Sequence, residues 1–237
     1  MFRIRVAGFL IEIRNRFGYV ERLCSAYRTD EDAAVDLVIS TTKEEIQAEM
    51  AAATFDAPPA YCESVCLYRN LCNALPRLDA FLLHAAVVRT DGAAYAFLGH
   101  SGTGKSTHMN LWLTHFADRV EVINGDKPII RCRDDGFHAY GTPWAGKEGL
   151  ENNISAPLNG LCFLKQAPYN RIERLSPQET AKRIFHQFLI PKDVENVQKL
   201  MQHADRLVRS VPAYELCCTI SEEAARLSFE TMTGGSV

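Results

Sequence analysis

Apolar and polar positions alternate along this chain in patterns that predict both strands and helices. Alternation or short apolar runs predict strands within 2–13 and at 33–40, 81–88, 94–98, 120–123, 129–132, 157–165, 171–175 and 213–220. Helical spacing and capping residues predict helices at about 43–53, between Pro59 and Leu75, at 106–116, from Pro177, at 191–207 and after Ser221. Strands and helices that follow one another in this way are typical of an α/β protein.

The lengths of the connections predict how neighbouring strands pair. Only a turn around Asp91 separates 81–88 from 94–98, which is too short for the crossover of a parallel pair, so these strands are antiparallel. A helix separates 94–98 from 120–123, which predicts that those two run parallel. Tyr169 and Asn170 mark a predicted hairpin between 157–165 and 171–175. The sheet is therefore expected to be mixed.

The strand 94–98 leads into the one strong motif of the sequence. It reads Gly99-His100-Ser101-Gly102-Thr103-Gly104-Lys105-Ser106-Thr107 and matches the phosphate-loop pattern. Its glycines let backbone N–H groups surround an anion, Lys105 reaches the β- and γ-phosphates, and the Ser106 hydroxyl can hold Mg²⁺. We therefore predict that Mg·ATP is bound by Gly99, Ser101, Gly102, Thr103, Gly104, Lys105, Ser106 and Thr107.

Two residues outside the motif are candidates for catalysis. If the hairpin turn centres on Asp91, His84 lies opposite residue 98 at the mouth of the loop, where an imidazole can act on substrate or metal. Asp126 follows the strand 120–123 at the loop's end of the sheet, where it can bind Mg²⁺. The alternatives are a core histidine and an aspartate that caps its own turn.

A polar, glycine-rich loop at 141–153 is the third candidate region. We predict that Lys147 offsets charge at the γ-phosphate, and that Trp144 or Asn153 positions the substrate. An inert surface loop is the alternative.

Composition excludes several classes of partner. The 237 residues are 47% hydrophobic and 23% charged with a net charge of −3, which gives no electrostatic case for nucleic acid or an anionic membrane surface. No apolar run approaches the roughly 18 residues of a membrane span, and the start of the chain is unlike a signal peptide, so we expect a cytoplasmic protein with reduced cysteines. Cys62 and Cys66 share a helix face, but Cys72 lies about 120° away, which argues against a zinc site.

Together these residues resemble a known group of P-loop proteins. His84, the hairpin, the loop and the acidic strand end at Asp126 are similar to the HPr kinase/phosphorylase catalytic domain and the nucleotide domain of ATP-dependent phosphoenolpyruvate carboxykinase. The resemblance implies that the histidine serves catalysis or binds metal, that Lys105 and Ser106 bind phosphate and Mg²⁺, and that the chain forms homo-oligomers. Gly125 departs from the pattern because it stands where those families have a first aspartate.

The resulting hypothesis is a P-loop kinase with an N-terminal α+β extension at 1–78 and a kinase-like core at 79–237. It would transfer the γ-phosphoryl group of ATP to a hydroxyl of a protein, a peptide or a metabolite, with either His84 or Asp126 as the base. The alternatives are an ATP-sensing module without transfer, suggested by Gly125, and a carboxykinase-like enzyme acting on a carboxylate.

Overall fold

The computed structural model describes residues 1–146 and 148–235, and the predicted α/β class is confirmed there. Its strands are β1 (Phe2–Val6), β2 (Phe9–Arg14), β3 (Leu37–Ser40), β4 (Ala80–Leu82), β5 (Ala85–Thr90), β6 (Ala93–Leu98), β7 (Val120–Asn124), β8 (Ile129–Arg133), β9 (Gly136–Tyr140), β10 (Ser155–Gln166), β11 (Arg171–Arg174) and β12 (Ala213–Cys218). Its helices are α1 (Tyr19–Leu23), α2 (Lys43–Ala52), α3 (Pro59–Ala74), α4 (Lys105–His115), α5 (Pro177–Ile184), α6 (Val194–Ser210) and α7 (Glu222–Thr233).

The strands form two sheets. A small sheet has the order β1-β2-β3, and a nine-stranded mixed sheet has the order β4-β8-β9-β10-β6-β5-β7. Strand β10 joins two parts of the large sheet, because its start pairs with β9 while its second half pairs with β6 on one side and β12 on the other. Strand β11 lies outside β12. The mixed sheet that the sequence predicts is confirmed.

The hairpin β5–β6 is antiparallel as predicted, with a register one residue from the expected one. Asp91 and Gly92 both have positive φ angles, 49° and 78°, which is the geometry of a two-residue hairpin turn. This turn pairs Ala85 with Leu98, whereas the expected register pairs residue 84 with residue 98. Strand β7 runs parallel to β6 in direction, as predicted, but pairs with β5 rather than with β6.

The predicted strand 81–88 is wrong as a single element, because it breaks at Leu83 and His84. Strand β4 pairs with β8, whereas β5 pairs with β6 and β7, so the chain changes partners at the break. The backbone N–H of His84 donates to the Gln187 carbonyl at 2.8 Å instead of to a neighbouring strand. The break frees His84 from the regular ladder at the edge of the loop.

The predicted hairpin between 157–165 and 171–175 is also wrong. Strand β12 inserts between β10 and β11, parallel to the first and antiparallel to the second. Both edges of β12 are thereby hydrogen-bonded, and its side chains Ala213 and Leu216 are buried. The short connection after β10 could not reveal a strand that arrives more than forty residues later.

Helices cover both faces of the large sheet. Alternate residues of the β5–β6 hairpin enter opposite cores, as the period of two for strands requires. Helix α6 packs on one face against the first set, and α4 and α7 pack on the other face against the second. The first set is Ala85, Val87, Ala94, Ala96 and Leu98, and the second is Ala86, Val88, Tyr95 and Phe97.

The first 78 residues pack onto the large sheet through a shared core. Leu67 and Leu71 of α3 belong to the same buried cluster as Leu82, Ile129 and the indole of Trp144. The boundary between 78 and 79 stays a prediction. None of the helices in the described part of the chain is both long and apolar enough to traverse a bilayer.

A buried histidine predicts that the fold loses stability in acid. His108 on α4 is 2% exposed, and burial lowers its pKa to about 4 from an ordinary 6.5. Its Nε2 lies 2.8 Å from Ser228 Oγ of α7, which also accepts from the Trp112 indole. Because the unfolded chain binds the proton more readily, the free energy of unfolding should fall by about 3 kcal/mol between pH 7 and pH 4 from this group alone.

Urea unfolding at a series of pH values measures this loss. The variant His108→Gln should show a shallower decline below pH 6.5, whereas His186→Gln, at an exposed position, should keep the wild-type slope. An unchanged slope in His108→Gln would contradict the assignment.

Candidate active site

The site forms where three strand ends meet. Strand β5 runs antiparallel between β6 and β7, so its start lies beside the ends of both neighbours. His84 therefore lies next to Gly99, which follows β6, and next to Asp126, which follows β7. The backbone N–H of Ala85 donates to the Asp126 carbonyl at 3.1 Å and holds the strand ends together.

The glycine-rich loop, residues 99–104, presents a set of free donors. The backbone N–H groups of Ser101, Gly102 and the four residues 104–107 have no acceptor within the described part of the chain. Gly104 has φ +101°, a conformation that favours glycine, and it turns the loop into the start of α4. Consecutive free N–H groups at the positive end of an eleven-residue helix can hold an anion of phosphate size.

Lys105 lies inside this loop and is 8% exposed. Its ammonium donates to the carbonyls of Gly99 at 2.9 Å and His100 at 3.3 Å. Burial lowers the pKa of Lys105, while the charge of Asp126 acts in the opposite direction. The lysine is therefore a partly desolvated cation held at the mouth of the donor set.

Asn124, the last residue of β7, orients Asp126. Buried Asn124 accepts from the backbone N–H groups of Asp126 at 2.9 Å and Lys127 at 2.6 Å, and it donates to the Thr142 carbonyl. Asn124, and not Asp126, therefore caps the turn. The Asp126 carboxylate instead receives His84 Nε2 at 3.1 Å and Lys127 Nζ at 3.1 Å.

The ionisation of Asp126 follows from these contacts. Burial raises the pKa of its carboxyl group, but the hydrogen bond from His84 and the charge and hydrogen bond of Lys127 outweigh burial and lower that pKa to about 2. Asp126 is a carboxylate throughout the neutral range. It can orient an imidazole or bind a cation.

The loop 141–153 is pinned over the end of β7. The backbone N–H of Gly125 donates to the Leu150 carbonyl at 2.9 Å, and Tyr27 donates from its hydroxyl to Glu151. A Cβ at residue 125 would lie 3.3 Å from that same Leu150 oxygen. The position leaves little room for a side chain between the strand end and the loop, so Asp126 is the acid that the turn after β7 supplies.

Of the three residues predicted in this loop, one lines the cleft, one does not, and one lies outside the described residues. Trp144 is buried and donates its indole N–H to Ser64 Oγ at 3.2 Å, with its ring at the edge of the site. Asn153 donates to the Ala26 carbonyl at 3.2 Å and is not among the described residues that line the cleft. Lys147 lies outside the described residues. The predicted roles of all three stay predictions.

A cleft of about 830 Å³ gathers most of the predicted residues. It is lined by His84, Ser101, Gly102, Gly104, Lys105, Ser106, Thr107, Asp126 and Trp144 among others. Gly99 and Thr103 line a separate pocket of about 580 Å³, which shares Ser101 and Gly102 with the cleft. The cleft is large enough to hold a nucleoside triphosphate beside the strand ends.

The oxygen donors in the cleft fit a magnesium ion that is completed by phosphate. Within residues 1–146 and 148–235, no three His, Cys, Asp or Glu side chains converge as a metal centre. Mg²⁺ ordinarily takes one or two protein oxygens and completes its shell with phosphate oxygens and water. Ser106 and Asp126 both line the cleft and supply oxygens of that kind.

Three residues of the site escaped sequence analysis. Lys127 pairs with Asp126 and lies 5.1 Å from the centre of the Tyr68 ring. Gln187 bridges the site: with its amide nitrogen turned toward them, it donates to the carbonyls of Gly99 at 3.1 Å and His84 at 3.0 Å. Asn124 shapes the strand end. The Asn-Gly-Asp-Lys sequence signalled a turn, whereas nothing in the sequence signalled Gln187.

The chain belongs to the family described as SynChlorMet cassette protein ScmC, because the model of that family matches residues 65–224. A search of curated proteins gives no match. Among solved structures, the HPr(Ser) kinase/phosphatase from Coxiella burnetii aligns with a TM-score of 0.37 and 11% sequence identity, over 65% of this chain and 88% of that one. This structural similarity is distant, so function is argued from the chain's own residues.

The two partners of Asp126 predict how its carboxyl group titrates. Removing the ammonium in Lys127→Met or the imidazole donor in His84→Leu should raise the Asp126 pKa from about 2 toward the ordinary value near 4. Carbon-13 NMR of the aspartate carboxyl groups, assigned with Asp126→Asn, measures the shift. Lys182→Met, at an exposed lysine that does not line the cleft, is the matched control. A carboxyl pKa unmoved in both variants would refute the contact geometry.

Proposed function

We propose that this ScmC family member is a kinase that transfers the γ-phosphoryl group of Mg·ATP to a hydroxyl. One observation carries the proposal: the Lys105 ammonium and the backbone N–H groups of Ser101, Gly102 and residues 104–107, which have no acceptor in the described part of the chain, belong to residues that line the same cleft as the His84–Asp126 pair. The first set can hold phosphates, and the second can act on a proton. Phosphoryl transfer needs little more than such positioning and charge stabilisation.

The loop and its lysine would hold the triphosphate. The N–H groups of Gly104–Thr107 would donate to phosphate oxygens, and Lys105 would leave the carbonyls of Gly99 and His100 to reach the β- and γ-phosphates. The lysine already lies within the loop, so this change needs only a side-chain movement. Mg²⁺, held by Ser106 and Asp126, would offset charge on the transferred group.

His84 is the better of the two candidate bases. Asp126 is a poor proton acceptor at neutral pH because its pKa is about 2. His84 donates from Nε2 to Asp126 at 3.1 Å, and its Nδ1 has no partner in the described part of the chain. Asp126 would therefore fix the imidazole, and Nδ1 would accept the proton of the acceptor hydroxyl.

A sensing module that binds ATP without transferring phosphate is the second candidate. It is favoured by the surroundings of Gly125, because a Cβ at this residue would lie 3.3 Å from the Leu150 carbonyl oxygen and 3.4 Å from that of Ala145. A side chain at this position would be crowded, so the turn after β7 supplies one carboxylate, Asp126, where a metal could bind. This candidate requires tight Mg·ATP binding with the γ-phosphate left intact.

Transfer of labelled γ-phosphate into a cleared lysate of the source organism tests the two candidates. Lys105→Met and Asp126→Asn should each reduce the labelling by about 10²–10³-fold, as loss of a charge-stabilising group does. Lys43→Met and Asp135→Asn, both at exposed positions away from the glycine-rich loop, are the matched controls and should label like the wild type. Saturable Mg·ATP binding without any labelling would instead support the sensing module.

The choice of base has its own test. His84→Gln should lower the rate of transfer by about 10²–10⁴-fold and leave the affinity for Mg·ATP close to that of the wild type. A transfer rate in His84→Gln equal to that of the wild type would assign the proton transfer to another group.

A further inference from the structure

A second chamber adjoins the cleft. It has a volume of about 570 Å³ and lies between the α2–α3 corner, the end of β4 and residues 186–189. The two cavities share six lining residues: Tyr61, Val65, His84, Asp126, Lys127 and Trp144. The proposed base and its carboxylate therefore form part of the wall of both cavities.

The walls of the chamber are mainly apolar and their charges are paired. Aromatic and aliphatic side chains dominate, and they include Phe55, Tyr61, Val65, Tyr68, Leu82, Trp144, Phe188 and Leu189. Among the described residues that line it, four are Asp, Glu, Lys or Arg, and they form two ion pairs, Arg69 with Glu49 and Lys127 with Asp126. A charged ligand would lose hydration without gaining an unpaired counter-charge, so the chamber favours an uncharged one.

Exposed apolar side chains are concentrated in the two segments that form the chamber. Of the twelve large apolar side chains that are exposed in the described residues, six come from the two segments that flank the chamber. Phe55, Tyr61 and Leu189 line the chamber, and Met50, Phe185 and Ile190 are next to lining residues along the chain. Exposed apolar side chains gathered around a cavity mark a ligand-binding surface more often than inert exterior.

We propose that this chamber binds the phosphoryl acceptor, and that the acceptor carries its hydroxyl on an uncharged, largely aromatic body. The proposal depends on the proposed function, since it places the donor in the cleft and the acceptor on the far side of the His84–Asp126 pair. The acceptor oxygen would bond to the γ-phosphorus, the bond from that phosphorus to the β–γ bridging oxygen would break, and ADP would leave. The hydroxyl proton would pass to His84 Nδ1.

The same chemistry can come from a free phenolic compound or from a side chain of a peptide. The chamber's volume fits either, since small-molecule sites are about 300–1,000 Å³. N-acetyl-tyrosinamide and a glycine-flanked tyrosine pentapeptide distinguish the two sources as acceptors. Labelling of the pentapeptide alone indicates a peptide acceptor, and labelling of the amide indicates a free one.

Binding of 2-naphthol, an uncharged fluorescent phenol, tests the chamber directly. Thr54 is exposed and lines the chamber but not the cleft, so Thr54→Trp fills the chamber without disturbing the core. We expect the wild type to bind 2-naphthol and Thr54→Trp to bind it about tenfold more weakly or worse. Thr231→Trp, at an exposed site on α7, should bind like the wild type, and all three proteins should bind Mg·ATP equally.

The outcomes separate this proposal from the kinase proposal. If the wild type does not bind 2-naphthol, or if Thr54→Trp binds it as tightly as the wild type, the proposal that the chamber binds the acceptor is wrong. This holds even if Lys105-dependent labelling shows that the protein is a kinase. If Thr54→Trp weakens binding of 2-naphthol but no Lys105-dependent labelling occurs, the kinase proposal is wrong, and the chamber's role as an acceptor site is wrong with it. Both proposals are supported if Thr54→Trp weakens binding of 2-naphthol and also abolishes the labelling of a tyrosine acceptor.

Discussion

The antiparallel course of β5 between β6 and β7 is the constraint on which the site depends. An antiparallel strand starts where its neighbours end, so the short turn at Asp91-Gly92 brings His84 to the exits of both. With only parallel strands at this point, a residue before β5 would lie at the far edge of the sheet, more than 15 Å from Gly99 at roughly 3.3 Å per residue. The hairpin thus joins the glycine-rich loop to Asp126.

The charges of the site hold one another in place before any ligand arrives. Lys105 donates to loop carbonyls, and Asp126 accepts from His84 and Lys127. Each buried charge has a polar partner, which offsets the cost of its burial. Because Asn124 caps the turn in place of Asp126, the carboxylate keeps both oxygens for these contacts. An arrangement of this kind is organised in advance for phosphate and proton chemistry.

The first 78 residues contribute to the site although they carry no motif. Ser64 receives the indole N–H of Trp144, and Tyr27 bonds to Glu151, so that they hold the loop over β7. The corner between α2 and α3 then forms one wall of the second chamber. These contacts join residues about 80 and 124 positions apart. The N-terminal layer is therefore part of the proposed acceptor side of the molecule and not only a cover for the core.

The sequence by itself determined the features that depend on neighbouring residues. The capping boxes at Thr42 and Ser176, the hairpin turn at Asp91-Gly92 and the glycine-rich loop before α4 all follow from local backbone preferences. Tertiary structure alone decided the break at His84, the insertion of β12 between β10 and β11, and the contacts of Lys127 and Gln187. Those depend on which distant segment satisfies a free hydrogen bond or an unpaired charge, and that choice is made by the packing of the whole chain.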